Sequence, residues 1–247
     1  FLESARTESS LSLRDSPLQM IWLGSRPIPD RCFSNLNSLT VYQCQFLSDV
    51  VLPFFLFPLL TNLEQLEVRY CDSVKSIFEV KLENVWNEDL EKLVVKDCEG
   101  LMETCTVSFS NLTYLQVEGC NCLLYLFTSS IAKSLTGLKR MEISRCDSIE
   151  EVVSKEGDES HENEIIFKQL NCLKLQRLPR LQSFYKGSLL LSFPSLEKLL
   201  VKDCDLMETL CPGTLKADKL VQVQLDWDTI KLENDLNSTM REAFGAK

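Results

Sequence analysis

The stretch from Leu112 to Phe127, LTYLQVEGCNCLLYLF, combines two hydrophobic patterns. Leu115 and Val117 alternate with polar residues, which predicts a short strand with one apolar face. The chain then turns inward at Cys120, and apolar residues continue at a wider spacing. Because a strand this short cannot bury its apolar face alone, we expect neighbouring copies of the same unit.

The rest of the sequence contains those copies. Eight segments share the pattern L-x-x-(L/M/V)-x-(V/I/L) at intervals of 22 to 32 residues, beginning at Leu36, Leu63, Leu90, Leu112, Leu138, Leu170, Leu196 and Leu220. A ninth, degraded copy includes Leu11, Leu13, Leu18 and Ile21. This skeleton and period are typical of leucine-rich repeats. We therefore predict an α/β fold: a leucine-rich-repeat solenoid, or horseshoe, with a parallel sheet on its concave face, an irregular or short helical convex side and a C-terminal capping helix.

Two further columns of residues recur in the repeats. The ninth position is a cysteine in six of them, at Cys44, Cys71, Cys98, Cys120, Cys146 and Cys204. A thiol suits a small buried slot, so we predict reduced core cysteines, which favour the cytoplasm or the nucleus. The repeat after Cys146 carries Leu178-Pro179 instead, where Leu178 fills the interior and Pro179 ends the strand. Three positions ahead of the opening leucine lie Phe33, Phe109, Phe167 and Phe193, or Leu60 and Leu135, which predict a buried stack.

The pattern divides the chain into three parts. Residues 1–32 hold the degraded repeat and a loop of a truncated array, of which we expect the first ten residues to be frayed. Residues 33–227 form the solenoid of about eight repeats, with helices predicted at 129–136, capped by Ser129 or Ser130, and near 82–89. Residues 228–247 include an amphipathic helix from about Asp235 to Phe244, which we expect to cover the open edge of the last repeat.

Composition narrows the classes of partner. The 247 residues carry a formal net charge of −10, which disfavours binding to nucleic acid or an anionic membrane. The most apolar window, Val50 to Leu60, contains two prolines and is too short to span a membrane, so we expect it to pack on the convex side. The first residues have neither a basic start nor an apolar run, which argues against a secretory signal, and the missing initiator methionine indicates a fragment.

The sequence offers no arrangement for catalysis. Its one histidine, His161, lies in a polar run rich in acidic residues, Ser154 to Glu164, which predicts a surface loop. Asp158, Glu159, His161 and Glu162 could be imagined as metal ligands, but a flexible loop does not hold coordination geometry. We therefore predict no enzymatic activity, no metal and no cofactor.

The strand positions between the leucines should point outward on the concave face, defined here as the third, fifth and seventh positions of each repeat. From Leu36 onward these 24 positions hold seven basic and four acidic residues, so their net charge of +3 is opposite to that of the chain. A positive face would steer an acidic protein toward it. The candidate partner-binding residues are Arg69, Lys92, Lys96, Tyr114, Gln116, Arg140, Lys174, Lys198 and Lys202. The alternative is a solvated charge ladder in which Glu67 balances Arg69 and Glu142 balances Arg140.

The full repeat, F-x-x-L-x-x-L-x-V-x-x-C-x-x-L-x-x-L-F, with the run from Cys146 to Tyr185, resembles one family. It is similar to the C-terminal leucine-rich-repeat region of plant intracellular immune receptors of the coiled-coil, nucleotide-binding type. This resemblance implies recognition of a pathogen effector or a guarded host protein, and restraint of the nucleotide-binding module of the same parent chain. The sequence contains no phosphate-binding loop and no coiled coil. We therefore assign no residue of this sequence a role in nucleotide switching. An alternative is the substrate-adaptor repeat module of an F-box-type ubiquitin ligase, whose repeats also carry cysteines.

Overall fold

Short strands dominate the secondary structure of this chain. A computed structural model describes residues 9–14, 19–24, 32–79, 89–104, 108–156, 164–226, 228–232 and 235–245. In chain order the elements are β1 (Ser10–Leu13), α1 (Gln19–Trp22), β2 (Ser38–Tyr42), β3 (Val50–Leu52), a 3₁₀ helix (Phe54–Leu59), β4 (Gln65–Arg69), β5 (Ser76–Phe78), β6 (Lys92–Lys96), β7 (Tyr114–Glu118), β8 (Phe127–Thr128), α2 (Ser129–Ser134), β9 (Arg140–Ser144), β10 (Glu151–Ser154), β11 (Glu164–Ile166), β12 (Cys172–Gln176), β13 (Ser183–Tyr185), β14 (Leu190–Ser192), β15 (Lys198–Lys202), β16 (Leu215–Lys216), β17 (Gln222–Leu225), β18 (Asp228–Lys231) and α3 (Leu236–Gly245).

The repeated apolar segments form one ten-stranded sheet in the order β1-β2-β4-β6-β7-β9-β12-β15-β17-β18. All neighbours are parallel except the last pair, β17 and β18. Equivalent motif positions lie beside one another, so that Leu93 pairs with Leu115 and Leu115 with Met141. This is the predicted leucine-rich-repeat solenoid, and β1 confirms that the degraded copy contributes a strand.

The return segments are more regular than we predicted. In the described ranges helix occurs in three of them, as α1, the 3₁₀ helix and α2. Six contain short parallel strands, and two of these six also contain a helix. These strands form the small sheets β13-β10-β8, β11-β14-β16 and β3-β5. The apolar window from Val50 to Leu60 supplies β3 and the 3₁₀ helix, as expected for a packing segment. No helix in the described ranges is long and apolar enough to cross a membrane.

The apolar core lies between the large sheet and the return segments, and the predicted columns fill it. The eight opening leucines are all buried, and so are the six cysteines of the ninth position, Leu178, and the predicted phenylalanines with Leu60 and Leu135. Phe167 and Phe193 stack with ring centroids 5.4 Å apart, while Phe184 meets both rings edge-on. The described cysteines are free thiols, as predicted.

Most strands of the large sheet are followed directly by a residue with a left-handed backbone. Seven repeats place such a residue at the eighth position, at Gln43, Tyr70, Asp97, Gly119, Arg145, Arg177 and Asp203. The turn keeps the ladder intact, because the Tyr70 amide donates to the Lys96 carbonyl and the Arg145 amide to the Gln176 carbonyl, both at 3.0 Å. Strand β12 therefore ends at Gln176, before Arg177, and our assignment of its end to Pro179 was wrong.

The C-terminal cap differs from the predicted one. We expected the helix to cover the open edge of the sheet, but β18 turns back and pairs antiparallel with β17. Asp226, with φ of 52°, occupies the turn, in keeping with the positive φ angles of two-residue hairpins. The predicted helix exists as α3, contacts β16 and buries Leu236 and Met240. Asp235 caps it by accepting a hydrogen bond from the Ser238 amide at 3.0 Å.

Other assignments were partly right or lie outside the described residues. Helix α2 forms where predicted, but its N-cap is Thr128 rather than Ser129 or Ser130. The described ranges do not include Leu18, the helix predicted near 82–89, residues 157–163 of the acidic loop with the candidate metal ligands, or most of the frayed start. In the described part of the chain, no three histidine, cysteine or acidic side chains are placed to hold a metal ion.

The phenylalanine stack makes a stability prediction. Truncation of Phe167 to alanine removes contacts with Phe193 and Phe184 and leaves a cavity, so we expect a loss of about 3–5 kcal/mol in the free energy of unfolding. Urea denaturation followed by circular dichroism measures it. Leu124→Ala is the control, since Leu124 is largely exposed and should lose little. Equal losses of unfolding free energy in the two variants would show that the phenylalanine stack does not contribute to stability.

The buried thiols make a prediction about pH. Burial raises the pKa of Cys146 and of Cys204 to about 12. Above the ordinary thiol pKa of about 8.5, these two thiols lose their protons in the unfolded chain but keep them in the folded protein. The free energy of unfolding therefore falls as the pH rises from about 8.5 toward 12. The loss is up to about 1.4 kcal/mol per pH unit for each thiol.

The measurement compares wild type with the double variant Cys146→Ala/Cys204→Ala under reducing conditions. We expect the urea midpoint of the wild type to fall more between pH 8 and pH 10.5 than that of the variant. Lysine and tyrosine titration affects both proteins alike, so an identical fall in both would show that these thiols do not drive the loss.

Candidate functional site

The structure places the candidate binding residues on one face of the large sheet, in rows set by strand register. The third position runs from Lys92 through Tyr114, Arg140 and Cys172 to Lys198 on consecutive strands. The fifth position contains Gln116 and Lys174, and the seventh contains Arg69, Lys96 and Lys202. All nine predicted residues thus share the concave face. The face is geometrically continuous, and its role in binding stays a prediction.

Near the middle of the face most charges are paired within the protein. Glu67 pairs with Arg69, and Glu142 pairs with Arg140, as the charge-ladder alternative expected. The hydrogen bond with Glu142 raises the pKa of Arg140, and burial raises the pKa of Tyr114. These pairs join residues two apart on one strand, so they hold each charge in place without linking repeats.

A second set of contacts does link repeats. The Glu118 carboxylate forms an ion pair with Lys96 Nζ of one neighbouring strand at 3.0 Å. It forms a second ion pair with Arg145 Nη2, which follows the neighbouring strand on the other side, at 2.8 Å. Gln116 donates to Glu118 at 3.4 Å and accepts from the Tyr114 hydroxyl at 3.1 Å. Lys92 Nζ lies 5.9 Å from the centre of the Tyr114 ring, within range for a cation–π contact. The centre of the concave face is therefore a connected polar network.

The cations of the C-terminal strands are placed differently. Lys174 and Lys198 form no ion pair with any residue in the described ranges, and Lys198 is exposed. Both border a hollow of about 400 Å³ between β9 and β18. Among the predicted residues, Lys174 and Lys198 thus differ from the paired cations at the centre, because they face a cavity and have no described acidic partner.

Sequence reasoning missed a second surface beside the concave face. A groove of about 740 Å³ follows the C-terminal ends of the strands, where the eighth and tenth positions project. We call it the acidic rim; its carboxylates are Asp72, Asp97, Glu99, Asp147, Asp203 and Asp205. Arg145 lies 3.7 Å from Asp97, and Arg177 lies 3.8 Å from Asp203, so two of these acids are partly balanced. A polar residue at the eighth position of most repeats was the sequence signal for this groove. Strand alternation alone would have predicted that the side chain at this position points toward the core.

An aromatic cluster lies at the N-terminal end of the rim. Tyr70, which is exposed, meets Tyr42 edge-on with ring centroids 5.3 Å apart. The guanidinium of Arg14 lies 4.9 Å from the centre of the Tyr42 ring and donates to Gln43 at 3.1 Å. The degraded first repeat thus contributes a side chain to this aromatic cluster, which its sequence did not indicate.

This chain is similar to known leucine-rich-repeat proteins. The model of the family described as plant disease resistance protein RPS2-like, leucine-rich repeats, matches residues 7–146 and 99–225. A probable disease resistance protein of Arabidopsis thaliana is 28% identical over 148 residues, which are 60% of this chain and 17% of that relative's length. Among solved structures, the leucine-rich repeat domain of the type III effector XopL aligns with a TM-score of 0.48 and 15% identity, over 87% of this chain and 79% of that domain.

The contacts of Glu118 make a prediction about the central network. Lys96 and Glu118 are only 22% and 19% exposed, so Glu118→Gln should cost about 1 kcal/mol of unfolding free energy by weakening two ion pairs. The control is Asp49→Asn, which breaks the Lys75 pair, where both side chains are more than 60% exposed. It should leave the urea midpoint unchanged. If the two variants behave alike, the network does not contribute to stability.

Proposed function

This chain belongs to the leucine-rich repeats of the RPS2-like plant disease resistance proteins, and from that premise we propose that it is the recognition and autoinhibitory module of a plant immune receptor. Its concave face binds a protein, either a pathogen effector or a guarded host protein. The same repeats restrain the nucleotide-binding module of the parent chain. A cytoplasmic or nuclear location and the lack of enzymatic activity are part of this proposal.

The observation that supports it is the sign of the concave face. An acidic chain presents seven basic residues on the 24 outward positions, and strand register keeps them in continuous rows. Repulsion from the rest of the molecule keeps an acidic partner away from other surfaces, so charge favours docking on this face. Free buried thiols in the described repeats support a reducing compartment. Membership of the disease resistance family favours this function over that of a substrate adaptor of an F-box-type ubiquitin ligase.

The test is charge reversal in the full-length parent receptor expressed in leaf tissue. The variant Lys92→Glu/Lys198→Glu changes two exposed lysines of the third position, for which no described carboxylate lies within ion-pair distance. We expect at least a tenfold change in one of two readouts: loss of the cell death elicited by the recognised pathogen, or cell death without it.

The matched control is Lys168→Glu/Lys219→Glu, which makes the same change in net charge at two exposed lysines outside the concave face. It should behave as the wild type. Protein blots confirm equal accumulation of all forms. A concave-face variant that accumulates normally and matches the wild type in both readouts would overturn the proposal.

A further inference from the structure

The hollow at the C-terminal end of the concave face has a structural cause. In the third position Cys172 lies between the long side chains of Arg140 and Lys198, and its short side chain leaves a gap in that row. In the fifth position Leu200 lies between Lys174 and Gln224 and gives the floor an apolar part. We call this cavity the C-terminal hollow.

The antiparallel strand closes one end of the C-terminal hollow. Strand β18 pairs Thr229 with Gln224, and Thr229 is part of the lining. Gln222 and Gln224 add amide groups beside it. Strand β18, which is antiparallel to the rest of the sheet, therefore forms the end wall of the hollow. The described part of the sheet has no second end wall of this kind.

Charge distinguishes the C-terminal hollow from the centre of the face. Its lining includes Arg140, Lys174 and Lys198 against one carboxylate, that of Glu197. Arg140 is engaged by Glu142, whereas the two lysines form no ion pair with a described residue. A bound anion would gain their attraction without displacing an internal partner.

The occupant follows from this chemistry. A volume of about 400 Å³ admits one or two amino-acid side chains. Lysine ammonium groups and glutamine amides suit a carboxylate, while Cys172 and Leu200 suit an aliphatic stem. We propose that the C-terminal hollow is the anchor subsite that receives an acidic side chain, with an adjoining aliphatic residue, from the protein partner of the concave face. This inference rests on the proposed function and names the part of the partner that is bound.

Cys172 provides a direct reporter. Among the described cysteines, only Cys172 and Cys122 are not buried, and Cys122 lies outside the hollow. The rate of alkylation by iodoacetamide at each residue is followed by peptide mapping on the folded chain. The probe is an acetylated, amidated peptide of alternating leucine and glutamate, and the comparison is the same peptide with glutamine in place of glutamate.

We expect the glutamate peptide to slow alkylation of Cys172 about fivefold when present at about four times its dissociation constant, and to leave Cys122 unaffected. The glutamine peptide should give no protection. Lys174→Glu and Lys198→Glu should each abolish the protection, whereas Lys92→Glu, a matched reversal on the same face outside the hollow, should retain it. Circular dichroism confirms that the variants are folded.

Four results would overturn the inference. Equal slowing of Cys172 and Cys122, or no slowing of Cys172, would show that the peptide does not occupy the hollow. An equal loss of Cys172 protection in Lys92→Glu would show that the peptide responds to the positive charge of the whole concave face and not to the hollow. Equal protection by glutarate would identify a site for small anions rather than for a protein segment. None of these results alters the receptor experiment above, in which loss of recognition can also arise from the centre of the face.

Discussion

The in-register hydrogen-bond ladder between parallel strands is the constraint on which the rest of this structure depends. Each strand of the large sheet completes its backbone hydrogen bonds only with its neighbours, so every repeat presents the same motif position at the same height. Leucines then meet leucines in the core, and thiols meet thiols at the ninth position. The left-handed eighth residue extends the ladder by one more bond, as between the Tyr70 amide and the Lys96 carbonyl, before the chain turns inward. A repeat of this kind has no independent fold, because its polar backbone and its apolar side chains are both satisfied by the next copy.

The same ladder explains what the sequence could predict. Once Leu173 and Leu175 are recognised as core positions, period-two alternation leaves Lys174 facing outward, and parallel register places it beside Glu142 on one strand and Leu200 on the other. Burial of the ninth-position cysteines follows in the same way from the inward turn. These inferences needed only the spacing of apolar residues, since the side chains of a strand alternate strictly between its two faces.

Features that break the period were not predictable from it. Arg145 follows Ser144, and alternation would have turned it toward the core, but its left-handed backbone directs it to the rim, where it reaches Asp97 and Glu118. Two residues separate β17 from β18, and the described parts of the other repeats contain no reversal of this kind. The length of the apolar return segments did not distinguish short strands from irregular coil, because both bury the same residues. The two main surfaces of the candidate site, the acidic rim and the C-terminal hollow, depend on these departures.

Within the concave face, the pairing of charge distinguishes two parts that share the same overall sign. A partner carboxylate that approaches Arg69 or Arg140 must compete with Glu67 or Glu142, which are already in contact and lie on the same strand. One that approaches Lys96 must compete with Glu118, itself held by Arg145 and Gln116. Displacing such an internal partner gives up a contact already made, so the net gain from the new ion pair is small. At Lys174 and Lys198 that competition is absent among the described residues, and the short side chain of Cys172 leaves space beside them. The central rows therefore keep most of their charge within the protein, whereas the C-terminal hollow presents two lysines without a described acidic partner beside open space.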